Sequence, residues 1–284
     1  MDLAHQNLKT LKETINSYNL KAKKSLGQHF LLDPHINQQI VSTAGNLTGK
    51  NVVEIGPGPG GLTRAILSSP AKTVTAIEMD RRAVPLLQEL KHIYAERFQL
   101  IEGDALTTDL TQLCQAPRQI IANLPYNVGT ILLLNWLKQA QKWQKLTLMF
   151  QLEVAERICA QPNSKHYGRL SVISQWIADC SIVKKLPPGA FTPAPKVYSA
   201  VVQIVPHAVQ PTQQLFQSME KITRTAFGQR RKMLKGALKT INGERLLSTA
   251  RIDGSRRAET LTLDEFDRLA HAYQRNCDEK SCSA

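Results

Sequence analysis

Asn123, Leu124 and Tyr126, the residues around Pro125, combine the groups that could hold a flat aromatic amine. The apolar run 119–122 leads into them and predicts a buried strand, and Pro125 keeps the residue before it extended. An Asn amide, a Leu carbonyl and a ring then lie together at the carboxyl end of a strand, where open α/β sheets bind ligands. Two hydrogen-bond acceptors beside a ring suit a molecule that carries an exocyclic amino group. A strand that ends in a Pro-containing turn would show the same residues, so the motif alone leaves both interpretations open.

A glycine-rich loop follows the predicted strand 51–55 and precedes a predicted helix. Glycine is needed in such a loop because a side chain would block the approach of the backbone to a ligand. The spacing of Gly56, Gly58 and Gly61 fits the dinucleotide-binding fingerprint. The spacing of Gly56, Gly58 and Gly60 fits the loop of S-adenosylmethionine enzymes equally well. The loop by itself therefore does not separate the two cofactors.

Two acidic residues stand at the ends of the next predicted strands. Glu78 follows Gly56 by 22 positions, close to the spacing of an acid that binds ribose hydroxyls. Asp104 ends the third strand and could accept a hydrogen bond from an adenine amino group. Either acid alone could be a helix cap or a solvated charge. Together with Asn123 they indicate a nucleoside-containing ligand at one edge of a sheet.

The pattern of the chain predicts an α/β domain followed by helices. Short β-branched runs alternate with amphipathic stretches, which is typical of a parallel sheet with helices on both faces. The predicted strands are 51–55, 73–78, 98–102, 119–123, 145–152, 181–186 and 199–205, the last two pairing antiparallel. The predicted helices of this part are 62–69, 81–91, 129–141 and 153–161, after a helical, basic lead-in over 1–25.

A boundary is predicted at the Pro-containing stretch 206–211. Beyond it the periodicity is helical only, over 213–227, 230–240, 243–249 and 263–273. We therefore expect a domain over 1–206 and a small helical domain over 207–284.

Composition limits the partners and the cellular setting. The 284 residues include 36 Lys and Arg against 23 Asp and Glu, a formal charge of +13 that favours polyanions. Nucleic acid is the leading partner, and an anionic membrane surface is the alternative. No apolar stretch is long enough to span a bilayer, and the first residues do not resemble a signal peptide. Five scattered Cys without a CxxC pair predict no zinc site or other metal centre and fit a cytosolic, cytoplasmic protein.

The positive charge is densest in the basic segment, which we define as residues 221–239, with seven Lys and Arg. A helical pattern would place Arg231, Lys235 and Lys239 on one stripe at i, i+4 spacing, where like charges weaken an isolated helix. Contact with a polyanion explains such a stripe, and a solvated helix face is the alternative. The residues predicted to bind RNA are Arg224, Arg230, Arg231, Lys232 and Lys235.

Seven blocks in order along the chain resemble the family of small-subunit ribosomal RNA adenine-N6,N6-dimethyltransferases. The blocks are GQHFL (27–31), EIGPG (54–58), EMD (78–80), GDA (103–105), NLPYN (123–127), PPGAFTPAPKV (187–197) and FGQRRK (227–232). The resemblance implies a Rossmann-like S-adenosylmethionine-dependent methyltransferase sheet with a small C-terminal helical domain. It implies dimethylation of two adjacent adenosines in a hairpin loop near the 3′ end of small-subunit (16S) rRNA. The expected substrate is this rRNA within a pre-30S particle, and the expected enzyme is a monomer with a role in small-subunit biogenesis.

The resemblance also assigns roles to residues. Asn123 and the Leu124 carbonyl would accept the two N–H bonds of the adenine amino group, while Tyr126 and Phe191 would stack on the extruded base. Positioning and electrostatics would then carry the catalysis, without a general base. The residues expected to bind S-adenosylmethionine are His29, Leu31, Gly56, Gly58, Glu78, Met79, Asp104 and Asn123.

Other functions remain as alternatives. The related large-subunit (23S) rRNA methyltransferase of the macrolide-resistance type shares the implied fold and cofactor, but Asn127 and the FGQRRK block favour the small-subunit family. A DNA adenine methyltransferase usually has a second proline where Leu124 stands. An NAD-dependent oxidoreductase would need a hydride-site acid or base, and none is evident. A non-catalytic RNA-binding assembly factor would be expected to lack Asn123 or Glu78, and both are present.

Overall fold

The computed structural model describes residues 9–282, with the side chains of all of these except Lys24 and 278–282. Its strands are β1 (Phe30–Leu31), β2 (Asn51–Ile55), β3 (Thr73–Glu78), β4 (Phe98–Glu102), β5 (Arg118–Asn123), β6 (Lys145–Gln151), β7 (Ala178–Leu186), β8 (Phe191–Thr192) and β9 (Ser199–Pro206). Its helices are α1 (Leu11–Ser17), α2 (Pro34–Thr43), α3 (Gly61–Leu67), α4 (Val84–Ile93), α5 (Gly129–Leu137), α6 (Leu152–Ile158), α7 (Arg169–Ile177), α8 (Gln213–Gly228), α9 (Leu234–Ala237), α10 (Gly243–Ala250) and α11 (Leu263–Cys282). Residues 1–8 of the predicted helical lead-in lie outside the described part.

Across residues 9–282, seven strands form one mixed sheet in the order β4-β3-β2-β5-β6-β9-β7. Strands β4, β3, β2, β5 and β6 are parallel, and β9 is antiparallel to β6. The chain proceeds outward from β2 to β4 and then returns to the other side of β2 as β5. This reversal opens a crevice at the carboxyl ends of β2 and β5, where doubly wound sheets bind ligands.

The centre of the sheet forms around apolar side chains in the middle of its strands. Val52 and Val53 of β2 and Ile120 and Ile121 of β5 are fully buried. Burying each such side chain contributes about 1.5 to 3 kcal/mol before the cost of ordering the chain. Near-continuous apolar runs are expected of parallel strands covered on both faces. The same runs predicted β2, β3 and β4 with their observed bounds.

A second, two-stranded antiparallel sheet joins β1 to β8. Leu31 lies opposite Phe191, and Phe30 lies opposite Thr192. Helix α2 follows directly, begun by Asp33, whose carboxylate accepts the amide hydrogens of His35 and Ile36. The sequence did not predict these short strands or α2. Each strand has only two residues, too few for a period to be visible.

The chain forms two compact units instead of two consecutive domains. The first unit extends to Ala155 and includes Ser181–Val205, and the second comprises Glu156–Cys180 and continues from Pro206. The domain boundary at residues 206 and 207 stays a prediction, and residues 156–180 fall in the same compact unit as the residues from Pro206 onward. In the second unit, α7 packs on α8 and α11. Arg169 forms an ion pair with Glu220, and the Trp176 indole donates to Asp267.

The helix predicted over 230–240 is wrong. Only α9 and a short 3₁₀ turn, Lys239–Ile241, form there. Residues in the middle of the predicted helix bond elsewhere: the Leu234 amide donates to the Arg256 carbonyl, and the Lys235 amide donates to the Gly254 carbonyl. The predicted stripe on one helix face therefore does not exist. Tertiary hydrogen bonds have overridden a helical periodicity, which is only a weak local preference.

Candidate active site

An open cleft lies at the carboxyl ends of β2, β3, β4 and β5. Ligands of doubly wound sheets bind at this edge. The cleft brings together ten of the eleven residues predicted for catalysis and cofactor binding: His29, Leu31, Gly56, Gly58, Glu78, Met79, Asp104, Asn123, Leu124 and Tyr126. The eleventh, Phe191, does not line it.

The loop after β2 adopts a backbone that favours glycine. Gly56, Gly58 and Gly60 have φ angles of 64°, 54° and 86°, in the left-handed region that other residues rarely adopt. A Cβ on Gly58 would lie 3.2 Å from the Phe30 ring, and one on Gly61 would lie 2.5 Å from the Leu31 carbonyl oxygen. The loop therefore passes very close to β1, and side chains at these two positions would clash with it.

Glu78 fixes this loop from the next strand. Its side chain is 3% exposed, and its two carboxylate oxygens accept hydrogen bonds from the amides of Gly58 and Asp80, at 2.9 and 2.7 Å. Burial raises the pKa of the Glu78 carboxyl, and these amide hydrogen bonds oppose the rise. A carboxylate with two oxygens has room for further donors, which is what a ribose diol requires. Glu78 thus positions the loop, and it remains our prediction for the ribose contact.

Glu54 is a cleft residue that the sequence analysis did not assign. It lies in the middle of β2, fully buried, and its Oε2 atom has no hydrogen-bond partner within the described residues. Burial raises the pKa of Glu54 to about 8, and the nearby Glu78 carboxylate adds to the rise. A carboxyl in an otherwise apolar strand just before the glycine loop was the signal that could have identified it. Its unpartnered oxygen suits a cationic or hydrogen-bond-donating group of a ligand.

At the opposite wall, Met79 and Asp104 offer one apolar and one polar surface. The Met79 side chain is 57% exposed although it lines the cleft, so its thioether is free to cover a flat ring. One Asp104 carboxylate oxygen accepts the Leu106 amide at 2.9 Å in a local turn. The turn fixes the carboxylate at the rim of the cleft and leaves its other oxygen available.

The Asn123 side chain has a defined orientation. Its Nδ2 atom donates to the backbone carbonyl of His29 at 3.1 Å, so the amide oxygen is the end that remains for a ligand. Leu124 buries its side chain and still lines the cleft, so that its backbone forms part of the wall. The Pro125 carbonyl then accepts the amides of Val128 and Gly129, which begins α5. The predicted pair of acceptors therefore lies on one wall.

Contacts to its hydroxyl and to its ring hold Tyr126 in place. Its hydroxyl lies 2.6 Å from Ser199 Oγ, and its ring centroid lies 5.2 Å from that of His29 at a tilt of 31°. Burial raises the pKa of Tyr126. The His29 ring in turn donates from Nδ1 to the Pro193 carbonyl at 2.7 Å. His29 lines the cleft as predicted, and the structure adds that its carbonyl and ring also position Asn123 and Tyr126.

Phe191 does not occupy the predicted place. Its side chain is 4% exposed and belongs to the core cluster that includes Phe30, Leu31 and Leu186. The pairing of β8 with β1 draws it into this core. In the structure the Phe191 ring therefore lies in this core and does not line the cleft.

The predicted RNA-binding residues divide into two groups. Arg224, Arg231, Lys232 and Lys235 are exposed. Arg230 instead donates to the carbonyls of Lys165 and Tyr167, at 2.7 and 3.1 Å, and lies near the Glu259 carboxylate. Its guanidinium therefore supports the second unit, whereas the four others keep their charges in water.

Two further searches cover only the described residues. No helix between residues 9 and 282 combines the length and apolar character needed to cross a bilayer. Nor does this part of the chain hold a group of three or more His, Cys, Asp or Glu side chains that could bind a metal ion.

Comparison with known proteins is consistent across sequence and structure. A family model described as "Ribosomal RNA adenine dimethylase" matches residues 19–275. "Ribosomal RNA small subunit methyltransferase A" of Gluconobacter oxydans (strain 621H) is 60% identical over 263 residues, covering 93% of this chain and 87% of that protein. The protein of the same name from Sinorhizobium medicae (strain WSM419) is 53% identical over 267 residues, covering 93% and 97%.

Two solved structures share the fold. A dimethyladenosine transferase from Plasmodium falciparum superposes with a TM-score of 0.71 at 23% identity, covering 85% of this chain and 96% of that one. The 23S rRNA methyltransferase ErmE superposes with a TM-score of 0.64 at 24% identity, covering 86% and 98%. At such identities the likeness shows the fold alone, and it confirms the predicted fold class.

Proposed function

Because the chain belongs to the family of ribosomal RNA adenine dimethylases, we propose that it dimethylates N6 of two adjacent adenosines in small-subunit (16S) rRNA. The methyl donor is S-adenosylmethionine, and the target is a hairpin loop near the 3′ end of the RNA. The observation that carries this proposal is the fixed Asn123 amide, whose nitrogen is bound by the His29 carbonyl. Its oxygen remains as an acceptor beside Leu124 and Tyr126.

The chemistry follows from this wall of the cleft. An adenine amino group is a weak nucleophile because its lone pair is delocalised into the ring. When the Asn123 oxygen and the Leu124 carbonyl accept its two N–H bonds, the nitrogen becomes more tetrahedral and its lone pair is freed for in-line attack. Such positioned acceptors act without reorganising, and removing one typically costs about 10² to 10³ in rate. No general base is needed beforehand, since the N–H becomes acidic only as the new N–C bond forms.

The residues present fit S-adenosylmethionine. Side chains at Gly58 and Gly61 would clash with Phe30 and Leu31, so these glycines let the loop pack against β1 at the wall of the cleft. The unpartnered Glu54 oxygen is available to a hydrogen-bonding group of the cofactor, and Glu78 is an acceptor for ribose hydroxyls. Met79 and Asp104 would hold the adenine ring and its amino group. When bound, the cofactor supplies an electrophilic methyl group on sulfur.

The second unit supplies positive charge for the RNA. Arg224, Arg231, Lys232 and Lys235 are exposed and suit contacts with phosphates, which bind strongly but read little sequence. We assign Arg230 to support of this unit, because its guanidinium is bound to two carbonyl groups. Selection of the target adenosines would then depend on the cleft.

The test is methyl transfer to small ribosomal subunits from cells that lack this protein. We expect labelled S-adenosylmethionine to yield N6,N6-dimethyladenosine at two adjacent positions of the small-subunit RNA, detected by mass spectrometry of its fragments. Naked RNA offered in parallel tests whether a pre-30S particle is required. Modification of large-subunit RNA alone would support the 23S alternative. Binding to the subunit without any methyl transfer would support a non-catalytic assembly factor.

A further inference from the structure

We propose that Ser199 is a positioning residue for methyl transfer, because its hydroxyl holds the Tyr126 ring in the orientation that stacks on the acceptor adenine. The inference rests on the proposed function and extends it to a residue outside the cleft. Tyr126 lines the cleft, whereas Ser199 does not. Ser199 therefore acts only through the tyrosine.

The hydrogen bond between Tyr126 and Ser199 is short, and Ser199 belongs to a strand of the central sheet. Tyr126 Oη and Ser199 Oγ lie 2.6 Å apart, and Ser199 is 0% exposed. Ser199 begins β9, where it pairs with Gln151 of β6 in the central sheet. Tyr126 lies in the turn after β5, on the other side of β6. The hydrogen bond therefore connects a residue in a turn to a strand of the sheet. Support of this kind fixes the geometry of a site.

The bond matters because a tyrosine ring can rotate about two side-chain torsions. A partner at its hydroxyl end restricts the first torsion, which sets where the ring lies. The second torsion turns the ring about the axis that carries the hydroxyl, and the His29 ring, 5.2 Å away at 31°, limits that rotation on one side. Without Ser199 Oγ the ring keeps its area but loses its fixed position. Stacking contributes about 1 to 3 kcal/mol per base only when the tyrosine ring and the base lie face to face. A small misplacement near the reacting atoms can reduce the rate by about 10².

The test is a double-mutant cycle of Ser199→Ala, Tyr126→Phe and the double variant. Tyr126→Phe removes the same hydrogen bond from the other partner without leaving a cavity at the buried position. Each single variant should lower kcat by about tenfold, the size of one hydrogen bond, and the double variant should be no slower than the slower single one. Ser199→Thr, which restores a hydroxyl, should recover part of the rate. Cofactor affinity should stay unchanged in every variant.

A binding measurement separates positioning from general stability. Affinity is compared for a target hairpin RNA and for the same hairpin with abasic nucleotides at the two acceptor positions. The wild type should prefer the adenosine hairpin, and Ser199→Ala and Tyr126→Phe should reduce this preference to the same extent. Ser174→Ala is the matched control, since Ser174 is also fully buried but its hydroxyl has no hydrogen-bond partner within the described residues.

Several outcomes would overturn the inference. The effects of the two single variants could multiply in the double variant, Ser199→Ala could keep the wild-type preference and rate, or Ser174→Ala could lose as much as Ser199→Ala. If Ser199→Ala fails to fold, Tyr126→Phe with wild-type kcat and preference overturns it equally. A wild-type protein that methylates no small-subunit RNA would contradict the proposed function instead.

Discussion

The cleft and the basic segment carry their functional groups in opposite ways. In the cleft, Asn123, Tyr126 and Glu78 are each held by hydrogen bonds to groups that are distant in sequence. In the basic segment, Arg231 and Lys235 are exposed side chains, and the long helix expected to align them is absent. The chemistry therefore depends on where each atom lies, whereas RNA attraction depends mainly on how much charge is present. Substitutions should have sharp effects in the first region and graded effects in the second.

The largest effect is expected for Asn123→Ala. Loss of the acceptor oxygen should lower kcat for methyl transfer by about 10² to 10³, because the amino nitrogen is no longer held for attack. Single-turnover kinetics with saturating RNA would measure it. Asn127→Ala, an exposed asparagine outside the cleft, is the matched control and should stay near the wild type. A rate within twofold of the wild type for Asn123→Ala would contradict its role as an acceptor for the adenine amino group.

The next effect is expected for Gly58→Ala. The added Cβ combines a φ of 54° with a contact of 3.2 Å to the Phe30 ring, so the loop must shift. We expect S-adenosylmethionine affinity to fall by about tenfold or more, as strain at such a position costs about 1 to 3 kcal/mol. Isothermal titration calorimetry would measure it. Gly228→Ala is the control, since a Cβ there meets nothing within 4 Å. Equal losses of cofactor affinity in both variants would contradict the role of the glycine loop in cofactor binding.

A graded effect is expected for charge reversal in the basic segment. Arg231→Glu with Lys232→Glu should weaken RNA binding by about tenfold at moderate salt and reduce the salt slope by about one for each lost phosphate contact. Cofactor affinity should not change. Lys72→Glu with Lys91→Glu makes the same change in net charge on the first unit. If that control weakens RNA binding as much, total charge alone is the cause and the segment has no special role.

A pH effect is expected from Glu54. Its pKa of about 8 in the folded protein lies above the ordinary value of 4.5, so between these values the folded chain keeps a proton that the unfolded chain has released. Stability from this group is therefore full below the ordinary pKa and is lost as pH rises towards 8. Glu54→Gln, which does not titrate, should remove most of this decline in unfolding free energy. Denaturant unfolding at several pH values would show it, with the exposed Glu96→Gln as the control; parallel curves for Glu54→Gln and the wild type would contradict the burial argument.

The smallest effect distinguishes two neighbouring arginines. Arg230→Ala should lower unfolding free energy by about 1 kcal/mol, because two carbonyl groups lose a charged donor that is itself half exposed. Arg231→Ala should leave stability unchanged within error and affect only RNA binding. Chemical denaturation measures both. Equal stability losses in the two variants would show that both arginines support the second unit.

The same contrast explains what the sequence could predict. The apolar runs of β2, β3 and β4 are long enough for their period to be read, and their ends place Glu78, Asp104 and Asn123 at one edge. Of the eleven residues predicted from that placement and from the family blocks, ten line the cleft. The cleft could be predicted because its residues stand beside regular elements.

The incorrect predictions arise where contacts between residues distant in sequence determine the local structure. The helix expected over 230–240 is replaced by amide bonds to Gly254 and Arg256, which no local pattern reveals. Phe191 lies in the core because β8 pairs with β1, two strands too short to recognise. Glu54 and Ser199 were passed over because their importance comes from burial and from a partner, and neither is visible in a single residue type.

The segment 27–31 has a consequence for how this protein tolerates change. It supplies main-chain groups to its neighbours: the His29 carbonyl to Asn123 and the Leu31 carbonyl to Asn37. Any residue type provides a carbonyl, so substitutions that keep the backbone path preserve these contacts. A one-residue insertion or deletion would shift every carbonyl along the segment and release the Asn123 amide, even if each side chain were retained. For these two main-chain contacts, the number of residues in the segment matters more than their identity.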